Sequence, residues 1–129
     1  ATAASGVPVD IKTDTIGNLV FTDFAGNKIR KINLSGVVSL YAGNGFAGFS
    51  GDNGPAINAS LNFPRGMIIK NNGTIIFADG QNNRIRKIDT LGKITTIAGT
   101  TPPAYTYPTT QLTLPTGVAI NRFNGNVYY

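Results

Sequence analysis

The side chains able to carry out covalent or metal chemistry are few in this chain. Its 129 residues include no histidine, no cysteine and only 6 acidic residues. A catalytic triad needs a histidine or an equivalent base beside its nucleophile, and imidazole is the commonest metal ligand in proteins. We therefore expect no nucleophilic triad, no thiol chemistry, no disulfide bond and no histidine-based metal site from these residues.

Two aspartates, Asp23 and Asp79, each precede a turn rich in glycine and asparagine. We call the spacing between them the repeat offset, because other residues recur at the same spacing. As a pair they could line one side of a binding site. The favoured interpretation is structural, because an aspartate before a turn commonly accepts hydrogen bonds from the backbone N–H groups of that turn. No other pair of carboxylates stands out as a general acid and base.

A calcium loop is the metal site that the segment Asp52-Asn53-Gly54 could form. Such a loop follows the pattern D-x-[DN]-x-[DN]-G, in which oxygen ligands alternate at fixed positions. Here Gly54 occupies the position of the second ligand. We therefore predict no metal site and no cofactor.

The positive charge of the chain is concentrated at repeated positions. The formal net charge is +5, from 11 Lys and Arg against 6 acidic residues. Two groups of cations are separated by the repeat offset, namely Lys28, Arg30 and Lys31, and Arg84, Arg86 and Lys87. A basic stripe could bind an anionic partner. Equal positions in successive repeats favour a structural role instead, with the long stems covering a neighbouring element. These stretches contain no aromatic residue for a base to stack on, so we expect no nucleic-acid partner.

Four short runs rich in β-branched and apolar residues include the second basic group. They are separated by turns that contain Gly or Asn, which tolerate positive φ. The predicted strands are Met67 to Lys70, Thr74 to Ala78, Arg84 to Ile88 and Ile94 to Ala98. The pattern predicts a four-stranded antiparallel meander.

The same pattern occurs more than once. Residues 28–32, 36 and 42–43 recur one repeat offset later, at 84–88, 92 and 98–99, and Leu114-Pro115-Thr116-Gly117 echoes Phe63-Pro64-Arg65-Gly66. One small sheet cannot bury both of its faces, whereas stacked sheets of this repeat length form a β-propeller. We therefore predict an all-β fold with about two and a half four-stranded blades, belonging to a larger propeller or one completed by symmetry.

The repeat predicts the limits of each unit. Blade 1 spans about 6–43, an interblade loop 44–62, blade 2 about 63–99, a Pro-, Thr- and Tyr-rich loop 100–113, and the start of blade 3 114–129. Met67 is the only methionine, so we expect Ala1 to lie within a longer or processed chain. The turn Ile11 to Ile16 is predicted to be longer than its counterpart Lys70 to Asn72. The residues predicted to be buried between blades are Ile11, Leu19, Phe21, Ile29, Ile32, Ile68, Ile75, Phe77, Ile85, Ile88, Ile97 and Val118.

Several of these stretches resemble the NHL-repeat family of β-propellers. The resemblance is carried by residues 6–10, 18–23, 78–79, 82–89 and 94–99. The stretch GFAGFSGDNGPA, residues 45–56, resembles the linkers of secreted or surface NHL propellers, which include teneurin-like and bacterial or protist proteins.

The resemblance implies a non-catalytic extracellular binding or assembly module. Its loops would be presented to protein or glycan partners, and self-association would be compatible with it. Two alternatives stay open. One is a propeller enzyme similar to metal-dependent lyases or lactonases, with its site on blades outside this chain. The other is an RNA-binding NHL domain.

The two long connections, and the turns on the same side of the sheets, form the predicted binding face. Loops on a rigid scaffold carry most binding sites. The candidate binding residues are Phe46, Phe49, Asp52, Asn53, Tyr105, Tyr107, Asp23, Asp79 and Gln81. Alternatively, the Phe side chains plug the gap between blades, and residues 100–113 form a stiff linker.

Three segments match the acceptor pattern for N-linked glycans, at Asn33, Asn58 and Asn72, and all lie in predicted turns or loops. The Thr- and Pro-rich stretch 100–113 has the composition of O-glycosylated segments. No apolar run approaches the ~20 residues that span a bilayer. We therefore expect an extracellular or cell-surface protein with N- or O-linked glycans and no membrane span.

Overall fold

A computed structural model of the chain describes residues 7–99, 115–120 and 126–129. The strands are β1 Pro8–Thr13, β2 Leu19–Asp23, β3 Lys28–Ile32, β4 Val38–Ala42, β5 Pro64–Ile69, β6 Ile75–Asp79, β7 Arg84–Ile88, β8 Ile94–Ala98, β9 Ala119–Ile120 and β10 Val127–Tyr128. Two short 3-10 turns lie at Ala56–Asn58 and Gly80–Asn82. No helix among the described residues is long and apolar enough to cross a membrane.

The strands form three antiparallel sheets in chain order. Sheet 1 is β1-β2-β3-β4, sheet 2 is β5-β6-β7-β8, and sheet 3 pairs β9 with β10. Strands β7 and β8 have the limits predicted from the sequence, whereas β5 begins earlier, at Pro64, and β6 begins at Ile75. The prediction of an all-β protein built from repeated four-stranded meanders is confirmed.

Sheets 1 and 2 have the same register. Phe21 pairs with Ile11 on one side and Arg30 on the other. Phe77, one repeat offset later, pairs with Met67 and Arg86. The irregularities also recur, since β1 and β5, the first strands of the two sheets, both shift register between their first and fourth residues. Shared bulges mean that the repeat in the sequence encodes the path of the backbone as well as the strand order.

The first turn of each sheet has the same length. Residues 14–18 connect β1 to β2, and residues 70–74 connect β5 to β6. The prediction of a longer turn from Ile11 to Ile16 is therefore wrong, because β1 continues to Thr13. Each turn contains a glycine with positive φ, 101° at Gly17 and 90° at Gly73, which glycine adopts at little steric cost.

The two large sheets pack face to face around one apolar cluster. Sheet 1 contributes Val20, Ile29 and Ala42, sheet 2 contributes Met67, Ile75, Phe77, Ile88 and Ile94, and the connecting segment contributes Ala56, Ala59 and Leu61. A second cluster on the other face of sheet 2 joins Ile76, Ala78, Ile85 and Ala98 to Val118 and Val127. Sheet 2 is thus covered on both faces, as expected for a layered all-β protein.

Three residues predicted to be buried are exposed instead. Ile11 is 54% exposed, Leu19 40% and Ile97 41%. Ile11 and Leu19 lie on the face of sheet 1 that points away from sheet 2, opposite the side that carries Val20, Ile29 and Ala42. Ile97 lies on β8, the last strand of sheet 2. The described part of sheet 3 contacts β5, the first strand of that sheet, and therefore does not cover Ile97. Phe21, Ile29, Ile75, Phe77, Ile85 and Ile88 are buried as predicted, and Ile32, Ile68 and Val118 are half-buried.

Candidate binding face

Arg86 holds the connecting segment 44–62 against sheet 2. Its side chain is fully buried on strand β7. Nη1 donates to Asp79 Oδ2 at 3.2 Å and to the carbonyl oxygen of Ser60 at 3.0 Å. Nη2 donates to Asp52 Oδ1 at 2.9 Å and to the carbonyl oxygen of Ser50 at 2.8 Å. A buried guanidinium needs such compensation, so the segment and the sheet stabilise each other.

Asp79 is the buried partner of that cation. Its Oδ1 accepts a hydrogen bond from the backbone N–H of Asn62 at 2.8 Å, and Oδ2 accepts one from Asn82 Nδ2 at 2.7 Å. Burial raises the pKa of Asp79, and the hydrogen bonds from Asn62, Asn82 and Arg86 oppose that rise. The residue is 0% exposed, so it builds the face and does not reach a partner.

Asp23 has the corresponding place in sheet 1 and is also 0% exposed. Its Oδ1 accepts from the backbone N–H of Gly26 at 3.0 Å, and its Oδ2 accepts from Arg30 Nε at 2.9 Å. The turn role expected of these aspartates therefore occurs at Asp23. At Asp79 the backbone N–H comes from the connecting segment and not from the following turn.

Phe49 attaches the segment to strand β7 through its ring face. The guanidinium carbon of Arg84 lies 3.7 Å from the ring centroid, and that of Arg86 lies 4.8 Å away. Cations over an aromatic face are attracted by about 0.5–2 kcal/mol, depending on their exposure to water. The ring remains 41% exposed, so it has one face on the cations and part of its surface in solvent.

Asp52 and Asn53 anchor the same segment to the outer edge of sheet 2. Asp52 binds Arg86, while its side chain stays 30% exposed. The backbone N–H of Asn53 donates to the carbonyl oxygen of Ile94 at 2.8 Å, and Pro55 forms a bridge with Lys93. These contacts cover the start of strand β8, an edge that would otherwise be open to other strands.

Phe46 is a candidate whose side chain the structure leaves open to solvent. Its side chain is 76% exposed. Its backbone is held, because its N–H donates to Asn44 Oδ1 at 2.9 Å and Asn44 Nδ2 donates to Ser60 Oγ at 3.0 Å. The N–H of Gly48 also donates to the carbonyl oxygen of Leu61 at 3.2 Å. The exposed ring therefore projects from an ordered backbone.

A second aromatic group beside it was missed by the sequence reasoning. The rings of Phe24 and Phe63 stack with centroids 4.5 Å apart, and the guanidinium carbon of Arg65 lies 5.0 Å from the Phe24 centroid. Phe63 has a φ of 53°, which is strained for a residue with a side chain. The available signal was the position of Phe24 directly after Asp23, in a turn on the same side as the segment 44–62.

Gln81 lies in the 3-10 turn Gly80–Asn82, which is hydrogen-bonded to the connecting segment at two places. It is exposed, and its backbone N–H donates to the carbonyl oxygen of Asn62 at 3.0 Å. Asn82 Nδ2 donates to the carbonyl oxygen of Gly48 at 2.8 Å. We use the name linker face for the surface formed by Phe24, Phe46, Phe63, Arg65 and Gln81.

The three glycan acceptor candidates, Asn33, Asn58 and Asn72, are all exposed. Asn33 Oδ1 accepts from the backbone N–H groups of Ser35 and Val37, and Asn72 Oδ1 accepts from that of Thr74. These bonds use the amide oxygen and not the nitrogen to which a glycan is joined. Glycosylation of the three residues stays a prediction.

Other candidates lie elsewhere or outside the described residues. Tyr105, Tyr107 and the rest of 100–113 are outside them. Among the residues that are described, no group of three or more acidic side chains is placed to hold a metal ion. A cleft of about 260 Å³ lies at the opposite ends of the sheets, lined by residues that include Asp14, Lys31 and Tyr41. Burial raises the pKa of Tyr41, with smaller contributions from the charges of Asp14 and Asp89.

Four-stranded antiparallel meanders that stack face to face in chain order are the arrangement of blades in a β-propeller. Solved structures share this fold. A streptogramin B lyase matches with a TM-score of 0.67 and 20% identity, covering 98% of this chain and 35% of the lyase. An auxiliary nutrient binding protein from Bacteroides thetaiotaomicron matches with a TM-score of 0.70 and 16% identity, covering 91% of this chain and 33% of that protein.

The chain belongs to the teneurin NHL domain family, whose model matches residues 45–129. Teneurin-1 of Gallus gallus is 42% identical over 88 residues, which cover 60% of this chain and 3% of that protein. Teneurin-3 of Mus musculus is 38% identical over 88 residues, with the same coverage. The chain therefore spans a small part of the curated relatives that it matches.

Proposed function

We propose that this chain is part of a non-catalytic extracellular module that binds protein or glycan partners through the linker face. The proposal is supported by membership of the teneurin NHL family and carried by one observation. The Phe46 ring is 76% exposed, although its backbone is held by hydrogen bonds. An aromatic ring on a rigid backbone loses little entropy on binding and buries a large apolar area, as anchor residues of interfaces do.

Other residues of the linker face suit both classes of partner. Arg65 presents a planar cation over the Phe24 ring, and Gln81 presents an exposed amide. Aromatic faces stack on sugar rings or on partner side chains, while amide and guanidinium groups donate hydrogen bonds to hydroxyl or carbonyl oxygens. Cell-surface location, self-association and glycans on Asn33, Asn58 and Asn72 belong to the same proposal.

An enzymatic function is the alternative that the fold raises. The likeness to the streptogramin B lyase, at 20% identity, concerns the fold alone. One propeller scaffold carries many unrelated activities, because catalysis depends on the side chains of the site. We therefore do not extend the lyase activity to this chain.

The test is binding of the fluorescently labelled chain to intact animal cells, with Phe46→Ser as the variant. The matched control is Leu91→Ser, because Leu91 is 92% exposed in the β7–β8 turn, away from the linker face. We expect Phe46→Ser to weaken binding by roughly tenfold or more, the effect of losing an interface anchor. We expect Leu91→Ser to leave binding unchanged.

Treatment of the cells identifies the partner class. Loss of binding after mild proteolysis indicates a protein partner, and loss after removal of glycans indicates a glycan. Sedimentation of the chain with and without Phe46→Ser measures self-association through the same face. Equal binding by the Phe46→Ser and Leu91→Ser variants, or no binding to any cell type, would overturn the proposal.

A further inference from the structure

The cleft of about 260 Å³ lies between sheets 1 and 2, at the end opposite the linker face. Both first turns line it, through residues 14–16 of sheet 1 and residues 72–73 of sheet 2. Its apolar lining includes Val20 and Ile75, which are each 1% exposed. Pockets for drug-sized ligands usually measure about 300–1,000 Å³. This cleft is therefore suited to a smaller group, such as a single sugar ring.

Tyr41 gives the cleft an aromatic wall at a position where the repeat has none in sheet 2. The residue one repeat offset later is Ile97. Tyr41 is half-buried, and its hydroxyl has no hydrogen-bond partner among the described residues. Burial raises the pKa of Tyr41, so the hydroxyl stays protonated at neutral pH and can donate a hydrogen bond. A tyrosine of this kind can pack its ring on an apolar surface and hold an oxygen at its tip.

The remaining polar groups of the cleft are mostly hydrogen-bond donors. Lys31 presents an ammonium group, and Thr15 and Thr90 present hydroxyl groups. Asp14 also lines the cleft, but its oxygens accept hydrogen bonds from its own turn. Donors around an apolar lining match a sugar, whose ring has an apolar C–H face and whose edge carries oxygen atoms.

Asn72 places a carbohydrate attachment point on the lining of this cleft. It opens the acceptor pattern Asn72-Gly73-Thr74 and is exposed. Its Oδ1 accepts from the backbone N–H of Thr74 at 3.0 Å. Nδ2, the atom to which a glycan is joined, has no hydrogen bond among the described residues. The equivalent residue of sheet 1 is Ile16, which lines the cleft from the other turn and is 73% exposed.

We propose that the cleft binds the first N-acetylglucosamine of a glycan carried by Asn72. The sugar ring packs against Tyr41, covers Ile16 and joins the ends of sheets 1 and 2. Because the sugar is tethered at the cleft, its binding is intramolecular and needs only weak contacts. The inference rests on the glycosylation that belongs to the proposed function, and it assigns that modification a binding site and a structural role.

Attachment of this sugar is an ordinary glycosyl transfer from a lipid-linked diphosphate sugar donor. The bond from C1 of the sugar to the diphosphate oxygen breaks, and a bond from C1 to Asn72 Nδ2 forms. The released diphosphate takes up the proton that Nδ2 loses. The product carries one N–H on Nδ2, and the hydrogen bond from Thr74 to Oδ1 is compatible with it.

Asn33 provides a contrast at the same end of the sheets. It is an exposed acceptor residue in the turn between β3 and β4, but it does not line the cleft. A sugar on Asn33 is therefore expected to extend into solvent. The difference between Asn72 and Asn33 separates binding in the cleft from the general effects of attached carbohydrate.

The test uses the whole chain, secreted from cultured animal cells and trimmed by an endoglycosidase that leaves one N-acetylglucosamine on each modified asparagine. Mass spectrometry of the tryptic peptide 71–84 measures the occupancy of Asn72. Nuclear Overhauser effects then report contacts between the acetyl methyl group of the sugar and the ring protons of Tyr41. We expect Asn72 to be modified and these contacts to be present. Neither measurement depends on a protein variant.

Thermal unfolding of three variants adds an energetic measurement. The trimmed chain should melt about 4 °C above Asn72→Gln, which has no sugar at the cleft. Asn33→Gln, the matched control, should change the melting temperature by no more than about 1 °C. Tyr41→Ile gives sheet 1 the residue that sheet 2 has at this position, and it should reduce the difference due to the Asn72 sugar to less than half.

Three outcomes would overturn the inference. They are an unmodified Asn72, a modified Asn72 whose sugar makes no contact with Tyr41, and equal melting-temperature changes for Asn72→Gln and Asn33→Gln. The cell-binding test of Phe46→Ser concerns the opposite end of the sheets, so the two proposals fail separately. Binding that depends on Phe46 with an unmodified Asn72 removes this inference alone, whereas a sugar bound in the cleft without such binding removes the proposed binding function alone.

Discussion

Sheets 1 and 2 share their strand number, register and bulges, yet they differ in what surrounds them. Sheet 2 is covered on both faces, and its Arg86 is fully buried among four hydrogen-bond acceptors. Among the described residues, sheet 1 has an apolar cluster packed on one face only, and its Arg30 has one acceptor. The comparison teaches that strand pairing is encoded within each repeat, whereas burial depends on a neighbour.

The largest expected difference between the two sheets is at the arginines. Arg86→Met should lower the free energy of unfolding by about 3–5 kcal/mol, because it leaves the Asp79 carboxylate buried without its cation. Arg30→Met should lower the free energy of unfolding by only about 1–2 kcal/mol. Asp23 still accepts a hydrogen bond from the backbone N–H of Gly26, and the Arg30 side chain that it loses is partly exposed. Urea denaturation measures both.

Two neighbouring residues provide the controls for that prediction. Lys87→Met and Lys31→Met remove the same charge one position further along each strand and should change stability by less than about 0.5 kcal/mol. Equal losses from Arg86→Met and Arg30→Met would show that the connecting segment contributes little to sheet 2.

Met67 and Ile11 compare the same position in a buried and an exposed setting. Met67→Ala should cost about 2–5 kcal/mol, because it removes a side chain that is 1% exposed and leaves a cavity. Ile11→Ala should change stability by no more than about 0.5 kcal/mol, because Ile11 is 54% exposed. Thermal unfolding followed by circular dichroism distinguishes them, and a comparable loss at Ile11 would mean that its face is already covered in solution.

Gly43 and Gly99 test what the two sheets have in common. Their φ values are 93° and 80°, and a β-carbon would collide with the carbonyl oxygens of Asn27 and Asn83 respectively. We expect Gly43→Ala and Gly99→Ala to cost about 1–3 kcal/mol each, from backbone strain and collision. The two losses should agree within about 0.5 kcal/mol when measured by urea denaturation. A larger difference would show that the cost of a β-carbon at one of these glycines depends on the neighbouring sheet.

The smallest expected effect distinguishes the first turns of the two sheets. Burial is the largest influence on Asp14 and acts to raise its pKa, but hydrogen bonds from Asn18, Ile16 and Gly17 together lower the pKa below its ordinary value of 3.8. The folded state therefore binds this proton less tightly than the unfolded state. Its stabilisation is complete above about pH 4 and is lost as the pH falls through the folded-state pKa.

Asp14→Asn should lower the melting temperature by about 3 °C at neutral pH and should flatten its decline between about pH 4 and pH 2. The corresponding residue of sheet 2 is Lys70, so Lys70→Met should leave that decline unchanged. Melting curves across this pH range check both variants. If the melting temperature of Asp14→Asn declined as steeply as that of the native chain, other carboxylates would be responsible for the decline.

Much of the fold could be predicted from the sequence, because its signals are local. Glycine and asparagine mark the turns, and β-branched residues alternate between them. The repeat offset then relates Phe21 to Phe77 and Arg30 to Arg86, and their registers agree. The same reasoning assigned Ile11 and Leu19 to the core, because the sequence pattern does not show whether a neighbouring sheet covers them.

The candidate site could be predicted only in part. The sequence directed attention to the segment 44–62 and to Phe46, which is exposed, and their role in binding stays a prediction. It assigned Asp52, Phe49 and Asp79 to the binding face, whereas they hold the segment on Arg86 and Arg84. It missed the stacked pair Phe24 and Phe63, since they are distant in the sequence and meet only because sheets 1 and 2 pack face to face.

By itself the amino-acid sequence determined the repeat, the strands, the turns and the family, because each depends on contacts within one repeat or on a spacing along the chain. Only the tertiary structure decided which charged groups are buried, which aromatic rings are exposed and which face of sheet 1 packs on sheet 2. The physical reason is that desolvation depends on everything that surrounds a side chain, and two matching sequence patterns have different surroundings when, among the described residues, only one of the two sheets has a neighbour on both sides.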